Sequence, residues 1–341
     1  MTGAAEQNFA GRNVVVTGAA GFLGSQLCHS LCRTANCLVR VTRKKPSPLA
    51  EATSEVVDIQ GDVTDRGLWN RVFDAPVDVV FHLAGQTDLR RSLSNPLDDL
   101  EVNVIAPLHL LESARHSGQH ITAVFASTAT AAGVSDTDPT DETAREHPQS
   151  IYDANKLQAE HYLRIFAQEG YVSGAALRLT NVYGASDIRT GANRGVLDQV
   201  LDKALQGETL NVFKPGTWLR DYVFIDDVIS AFLTAGSPDR SLAGEAYLIG
   251  SGVGTPLDEA FQLVAEVVHQ KTGRNSPIVY TDPPKALHPV EQRNFIATTD
   301  AFTRDTGWTC RWSLEDGLRE ALRRRIDAGN GASTRETGVA G

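Results

Sequence analysis

Short runs rich in apolar and β-branched residues recur along the first half of the chain, at Asn13–Thr17, Cys37–Thr42, Val56–Gln60, Asp78–Leu83, Ile121–Ser127 and Gly174–Thr180. Between most of them the apolar positions instead repeat at a period of about 3.6 residues, the signature of a helix with one buried face. The helices are plainest at Phe22–Arg33, where Leu23, Leu27 and Leu31 form one stripe, at Pro96–His116 and at Tyr152–Gln168. Pro107 interrupts the second and predicts a bend there, because proline has no amide proton to give the helix. Strand and helix in alternation predict an α/β fold with a doubly wound parallel sheet.

After about residue 181 the rhythm changes to loops rich in Gly and Asp, a helix near Val196–Leu205, short mixed segments and a final helix at Leu314–Asp327. Arg323, Arg324 and Arg325 close that last helix, where they would complement its dipole from a solvated face. No internal repeat is evident.

The composition fits a soluble globular protein: 341 residues, 41% hydrophobic and 22% charged. A formal net charge of −10 argues against a nucleic-acid surface, which needs clustered Lys and Arg. The sequence has no apolar run of about 18 residues, and Met1–Asn8 lacks the basic and apolar regions of a signal peptide. A cytoplasmic protein without a membrane partner is therefore expected. Cys28, Cys32 and Cys37 lie close together around His29, but Cys28 and Cys32 fall beside Leu27 and Leu31 on the first helix. They read as small buried hydrophobes, with no metal site, and Cys310 as a lone thiol.

Thr17-Gly18-Ala19-Ala20-Gly21-Phe22-Leu23-Gly24 carries the first chemistry. A strand ending at Thr17, glycines at 18, 21 and 24, and an apolar helix starting at Phe22 provide a tight turn, close backbone approach and a helix N-terminus facing an anion. That is the context of a dinucleotide pyrophosphate site, so the sheet is read as a Rossmann fold. The second strand should end over the adenosine ribose, where an acidic residue would hold the hydroxyls of NAD. Here it ends Val41-Thr42-Arg43-Lys44-Lys45, a hydroxyl and three cations suited to a 2′-phosphate, which favours NADP(H) and leaves NAD(H) as the other choice. Asp62 and Val63 would suit the adenine edge, and Leu83, Ala84 and Gly85 would let the backbone run close to the cofactor.

Tyr152 and Lys156 stand at i and i+4, on one face of a helix. A phenol with a pKa of about 10 is a poor base at neutral pH, but an adjacent ammonium favours its phenolate. The pair can trade a proton with a carbinol or carbonyl oxygen while a nicotinamide trades the hydride. The division that follows is a dinucleotide-binding Rossmann domain over 11–180, a smaller C-terminal α/β substrate-binding lobe over 181–328 with some return to the main sheet, and flexible ends at 1–10 and 329–341.

With these residues in place, the chain resembles the extended short-chain dehydrogenase/reductase family, in particular its nucleotide-sugar branch, from about residue 12 to about residue 326. The likeness is carried by Thr17 to Gly24, Gly61-Asp62-Val63, His82-Leu83-Ala84-Gly85, Asn103, Ser127-Thr128, Tyr152 to Lys156, Arg178 to Gly184, and Arg220-Asp221-Tyr222-Val223 with Asp226-Asp227-Val228. It implies that Thr128 hydrogen-bonds the reacting sugar oxygen, that Lys156 also holds the nicotinamide ribose, and that Asn103 belongs to the cofactor site. Asn181 would contact the substrate near its sugar or diphosphate, and Arg220 would neutralise the diphosphate, a task to which a guanidinium is well shaped. A homodimer through the Pro96–His116 and Tyr152–Gln168 helices is implied as well.

Departures from the family narrow the reaction. Members that remove water from a 4-keto sugar carry an Asp-Glu pair just after the catalytic Thr, whereas Ala129 and Thr130 follow here, so dehydration is not expected. Ala131-Ala132 replaces the usual Val-Tyr before Gly133. His288-Pro289-Val290-Glu291 stands where many members carry a second diphosphate arginine, leaving Arg293 as its substitute. Arg194-Gly195-Val196, Leu242-Ala243-Gly244, Thr306-Gly307-Trp308 and Ser313 to Gly317 are similar to deoxysugar 4-ketoreductases, while His82 to Gln86 and Arg91 to Pro96 are similar to sugar epimerases. The sequence reading thus prefers NADP(H)-dependent reduction of a keto group at C4 of a nucleotide-diphosphate sugar, with Tyr152 as proton donor. A C4 epimerase that retains NAD is the alternative. A dinucleotide sensor without turnover is more remote, since such proteins tend to lose the Tyr or Lys.

Overall fold

The computed structural model describes residues 6–132, 139–184, 195–238, 240–283, 287 and 289–336. Its first half alternates as expected: β1 (Asn13–Thr17), α1 (Phe22–Leu31), β2 (Cys37–Thr42), β3 (Glu55–Gln60), α2 (Arg66–Phe73), β4 (Val79–His82), α3 (Leu89–Ser94), α4 (Pro96–Leu100), α5 (Ala106–Ser117), β5 (Ile121–Thr128), α6 (Ile151–Gln168) and β6 (Val172–Leu179). The second half holds β7 (Asn181–Tyr183), α7 (Val196–Gln206), β8 (Leu210–Phe213), β9 (Leu219–Phe224), α8 (Ile225–Ala235), β10 (Glu245–Ile249), β11 (Gly254–Pro256), α9 (Leu257–Thr272), β12 (Ile278–Thr281), α10 (Asp300–Thr306) and α11 (Leu314–Glu336).

Among the described residues the main sheet has seven strands in the order β3-β2-β1-β4-β5-β6-β10, every neighbouring pair parallel. This is a Rossmann sheet whose strand order reverses between β1 and β4, extended by β10 from the second half of the chain. Successive residues of one strand feed opposite layers, as a pleated strand requires. Val14 and Val16 join Leu27, Leu31, Phe81 and Phe232 on one face, while Val15 joins Leu68, Trp69, Val80 and Leu110 on the other. Cys28 and Cys32 are buried in the first of these layers. The remaining strands form a three-stranded sheet, β11-β9-β7, and a parallel pair, β12-β8.

Four expectations are corrected. Pro107 was read as the site of a bend, but the irregularity lies just upstream: Glu101–Ile105 form a π-helical turn between α4 and α5, closed by the Ala106 amide donating to the Glu101 carbonyl. Proline cannot serve the carbonyl four residues before it, and a wider turn redistributes those bonds. Phe9, in the stretch read as a loose end, is fully buried, with its ring 5.9 Å from that of Phe81. The last helix continues to Glu336, past the expected end at Asp327. Arg324 and Arg325 consequently do not close it on a solvated face: Arg324 pairs with Asp226 of α8 at 2.6 Å, and Arg325 with Asp198 and Asp202 of α7 at 2.6 and 2.8 Å. They tie the last helix to α7 and α8. Gly133, Arg194 and His288 lie outside the described residues.

Because Phe9 fills space against Phe81, Phe9→Ala is expected to cost about 3 kcal/mol or more in urea unfolding. A change below about 0.5 kcal/mol would mean that the segment contributes nothing to the core.

Candidate functional site

The C-terminal ends of β1 and β4 are joined by one hydroxyl. Thr17 Oγ1 accepts the amides of Leu83 and Ala84, each at 3.1 Å, and lies 3.1 Å from His82 Nδ1. Having accepted two amides, the Thr17 hydroxyl directs its own proton to the imidazole. Burial, with Lys156 nearby, pushes His82 down to about 3 and keeps it neutral.

Two glycines then bring the backbones together. Gly18 has φ +65°, and a Cβ there would lie 2.8 Å from the Ala84 nitrogen. A Cβ on Gly24 would overlap the Gly18 carbonyl, so α1 can start hard against the turn only because both residues lack side chains. The helix has Gly21 at its N-cap with no side-chain cap, which presents its first amides to an anion.

In front of this turn a cavity of about 280 Å³ brings Gly18, Gly21, Thr42, Arg43, Lys44, Asp62, Val63, Leu83, Ala84 and Gly85 together. Arg43 and Lys44 are exposed. Thr42 Oγ1 shapes their turn by donating to the Lys44 carbonyl at 2.8 Å and accepting its amide at 3.2 Å. Asn103, fully buried, donates to the Gln86 carbonyl at 3.0 Å but leaves its Oδ1 without a partner. A Cβ on Gly85 would sit 3.0 Å from that oxygen and 3.5 Å from Lys156 Nζ, so the glycine keeps a slot open between them. The turn, the open amides, the slot and the orphaned acceptor all fit a dinucleotide.

A second cavity, of about 420 Å³, shares Leu83 and Gly85 with the first and is lined by Phe22, Leu23, Thr128, Tyr152 and Lys156. Thr128 ends β5. Tyr152 and Lys156 come from α6, whose start is fixed by Ser150 accepting the Asp153 amide at 3.1 Å. Tyr152 is hydrogen-bonded to Thr128, while burial and the carboxylates of Asp153 and Asp99 push its phenol well above the ordinary range. Lys156 is pushed down to about 8 by burial, against the attraction of Glu160 and Asp99. Asp99 is itself held by Gln86 at 2.8 Å and Asn155 at 2.7 Å. Glu160 accepts from Ser127 and pairs with the buried Arg178 at 2.7 Å.

Of the four expected substrate contacts, Thr128 lines the cavity at Tyr152, and Asn181, Arg220 and Arg293 are not among its lining residues. Asn181 donates to the Asp221 carbonyl at 2.9 Å. Arg220 donates to the carbonyls of Leu219, Glu291 and Arg293, at 3.0 Å and 2.6 Å for the first two. Its guanidinium is thus engaged by backbone. Arg293 lies over the Phe295 ring at 5.0 Å and is attracted by Asp153, with burial pushing it down to about 10. A separate hollow of about 480 Å³ lies in the second half, lined by Gln199, Lys203, Asn211, Phe213 and Phe261.

Sequence reasoning passed over Asp99, Gln86, Glu160, Thr130 and Asp153. Asp99 lies near a helix start, where an acidic residue is ordinary, and nothing in its spacing distinguishes it. Asp153, sitting inside the Tyr-to-Lys interval, was the signal available. Among the described residues no helix is long and apolar enough to cross a membrane, and no three His, Cys, Asp or Glu are grouped as for a metal ion.

The fold and site define a Rossmann-type protein with a Thr, Tyr and Lys cluster at the mouth of a dinucleotide cradle. Residues 14–250 match the NAD dependent epimerase/dehydratase family. A UDP-glucose 4-epimerase of Mycolicibacterium smegmatis is 32% identical over 259 residues, covering 74% of this chain and 82% of the relative. The crystal structure of UDP-glucose 4-epimerase from Thermotoga maritima with UDP-glucose superposes with a TM-score of 0.81 at 30% identity, covering 92% of this chain and 99% of that one. That of the Thermus thermophilus UDP-glucose 4-epimerase complex with NAD gives 0.78 at 26% identity, covering 94% and 99%. The chain belongs to the NAD-dependent epimerase/dehydratase family, within the nucleotide-sugar branch of the extended short-chain dehydrogenases/reductases.

Between about pH 8 and 10.5 the folded chain holds the Lys156 proton less tightly than the unfolded chain does. Unfolding then takes up protons, so stability rises with pH in this window. Urea melts at about pH 8 and about pH 10 are expected to show wild type gaining on Lys156→Met as the pH rises. A constant difference would show that the ammonium is not desolvated.

Proposed function

We propose that this chain is a nucleotide-sugar 4-epimerase that keeps its dinucleotide bound between turnovers. The observation that carries this reading is the meeting of the two cavities at Leu83 and Gly85, which opens the dinucleotide cradle onto Thr128, Tyr152 and Lys156. A bound nicotinamide supplies a reversible hydride acceptor. The protein handles the proton: the Tyr152 phenolate takes it from the sugar hydroxyl, and the phenol returns it to the ketone oxygen once the other face is presented. Lys156 stabilises the phenolate and holds the nicotinamide ribose. Thr128 hydrogen-bonds the reacting oxygen.

The sequence reading placed reduction ahead of epimerisation. The relatives named above are UDP-glucose 4-epimerases, which reverses that order and makes a UDP-hexose the first substrate to test. Elimination of water is not supported, since Ala129, which is buried, and Thr130 follow Thr128 and supply neither acid nor base. Arg293, beside Asp153, is the candidate cation for the diphosphate, with Arg220 bracing its segment through the backbone.

A second reading rests on a specific observation. Arg43 and Lys44 line the cradle where a 2′-phosphate would lie, which favours NADP(H) and a ketoreductase that exchanges cofactor at each turnover. A homodimer is also proposed, because Leu97 is 73% exposed and Ile165 51% exposed on α4 and α6, which pack together.

Denaturing freshly purified protein and weighing the released dinucleotide by mass spectrometry is expected to give near-stoichiometric NAD. Recovered NADPH, or an empty site that binds NADPH more tightly than NADH, would overturn retention and support reduction. Tyr152→Phe is expected to lower kcat by about a hundredfold or more while dinucleotide binding persists; unchanged turnover would remove Tyr152 from the mechanism.

A further inference from the structure

Half-buried Thr130 and fully buried Asp153 form a pair beside Thr128 and Tyr152. We propose that they are positioning residues, which draw the Thr128 proton away from the cavity and leave that hydroxyl one acceptor site, open to the Tyr152 phenol or, when Tyr152 is ionised, to a substrate hydroxyl. The inference rests on the reading of Thr128 and Tyr152 as the catalytic hydroxyls.

The argument is a count of protons. Asp153 is wholly buried, and one of its oxygens accepts the Thr130 hydroxyl while the other accepts the Gln149 amide at 3.3 Å. A carboxylate has no proton to give, so the single hydroxyl proton of Thr130 goes to Asp153. The Thr130 and Thr128 hydroxyl oxygens lie 2.7 Å apart. With the Thr130 proton committed, that bond exists only if Thr128 donates. Thr128 Oγ1 also accepts the Thr130 amide at 3.2 Å. Its proton is spent, and what remains toward Tyr152 is acceptor capacity. The donors therefore run in one direction, from Tyr152 to Thr128 to Thr130 to Asp153.

A simpler role for Asp153 accounts for only half of this. It lies in the first turn of α6, where a carboxylate suits the helix dipole and can bond the preceding backbone, as it does at Gln149. Capping does not require the other oxygen to take Thr130, nor Thr130 to sit within hydrogen-bond distance of Thr128. Arg293 faces the same carboxylate from the second half of the chain. The chemical consequence is a division of labour: a sugar hydroxyl can donate to Thr128, but a sugar ketone can be protonated only by Tyr152.

The test reads the ionisation of Tyr152, which a merely structural role would not move. The charged and titratable groups around it are Lys156 one turn along α6, Asp99 from α4, Asp88 before α3, Asp153 beside it, and Arg293 through Asp153. Phenolate absorbance of the NAD-loaded protein is titrated against the same protein carrying Tyr152→Phe, so that the difference belongs to Tyr152.

Thr130→Val frees the Thr128 proton to donate to the phenolate, so Tyr152 is expected to ionise about one pH unit lower, and the acid limb of kcat/KM to move with it. Asp153→Asn removes a negative charge and is expected to shift the midpoint in the same direction. Thr130→Ser, which keeps the hydroxyl, is expected to restore the wild-type midpoint. A folded Thr130→Val protein with an unchanged midpoint overturns the proposal, and so does a Thr130→Ser protein that behaves like Thr130→Val. Should Asp153→Asn fail to fold, the Thr130 pair of variants decides alone. A shifted midpoint in a protein that turns over no nucleotide sugar would support the pair and overturn the epimerase reading instead.

Discussion

A lysine ammonium withdrawn from water sets the arrangement of the site. Lys156 is 9% exposed, and stripping an ion of water costs several kcal/mol unless partners compensate. Asp99 and Glu160 compensate in part, and each is a buried carboxylate with needs of its own. Gln86 and Asn155 serve Asp99; Ser127 and Arg178 serve Glu160; Arg178 reaches on to Glu146 at 2.6 Å. One charge thereby ties the loop after β4, the end of β5, the end of β6 and the first half of α6 into a single polar network. The tension left over is useful, since an ammonium that titrates near neutrality stands where it can stabilise a phenolate one helical turn away.

The sheet explains why this network meets the dinucleotide cradle. Reversal of strand order between β1 and β4 opens a crevice at the C-terminal edge, and parallel strands deliver β1, β2, β4, β5 and β6 to that edge together. Thr17 closes the bottom of the crevice by bonding across from β1 to β4. Gly18 and Gly24 let the backbone of α1 approach more closely than any side chain would permit. Thr128 and the Tyr and Lys of α6 arrive from the neighbouring strand and helix, so the three side chains stand beside the cradle without any long-range adjustment.

Much of this was legible in the sequence because it rests on local rules. Apolar, β-branched runs separated by period-3.6 segments locate six strands of the main sheet, and the glycines mark the turn before α1. Tyr152 and Lys156 declare a shared helix face by spacing alone. What was not legible depends on contacts distant in sequence. Asp99 and Asn155 meet across 56 positions, and Arg324 and Asp226 across 98. Phe9 reads as part of a flexible end because one aromatic residue carries no period, yet it is buried against Phe81 of β4. Arg220 shows how spacing leaves out surroundings: its chemistry suits a diphosphate, and in the fold its donors also serve three carbonyls. Thr130 enters the sequence reading only as a residue that is not an acid or base, and Asp153 only as a member of the Tyr-to-Lys run; their meeting gives them meaning.

The central claim is that Tyr152, Thr128 and Lys156 serve a hydride that leaves and returns to the same sugar carbon. It is tested most directly by giving the purified protein, with no added cofactor, a UDP-hexose labelled with deuterium at C4 and following the product by mass spectrometry and NMR. The account predicts the C4 epimer with its deuterium retained. Failure to form the epimer, together with turnover of a 4-keto nucleotide sugar only when NADPH is supplied, would contradict it.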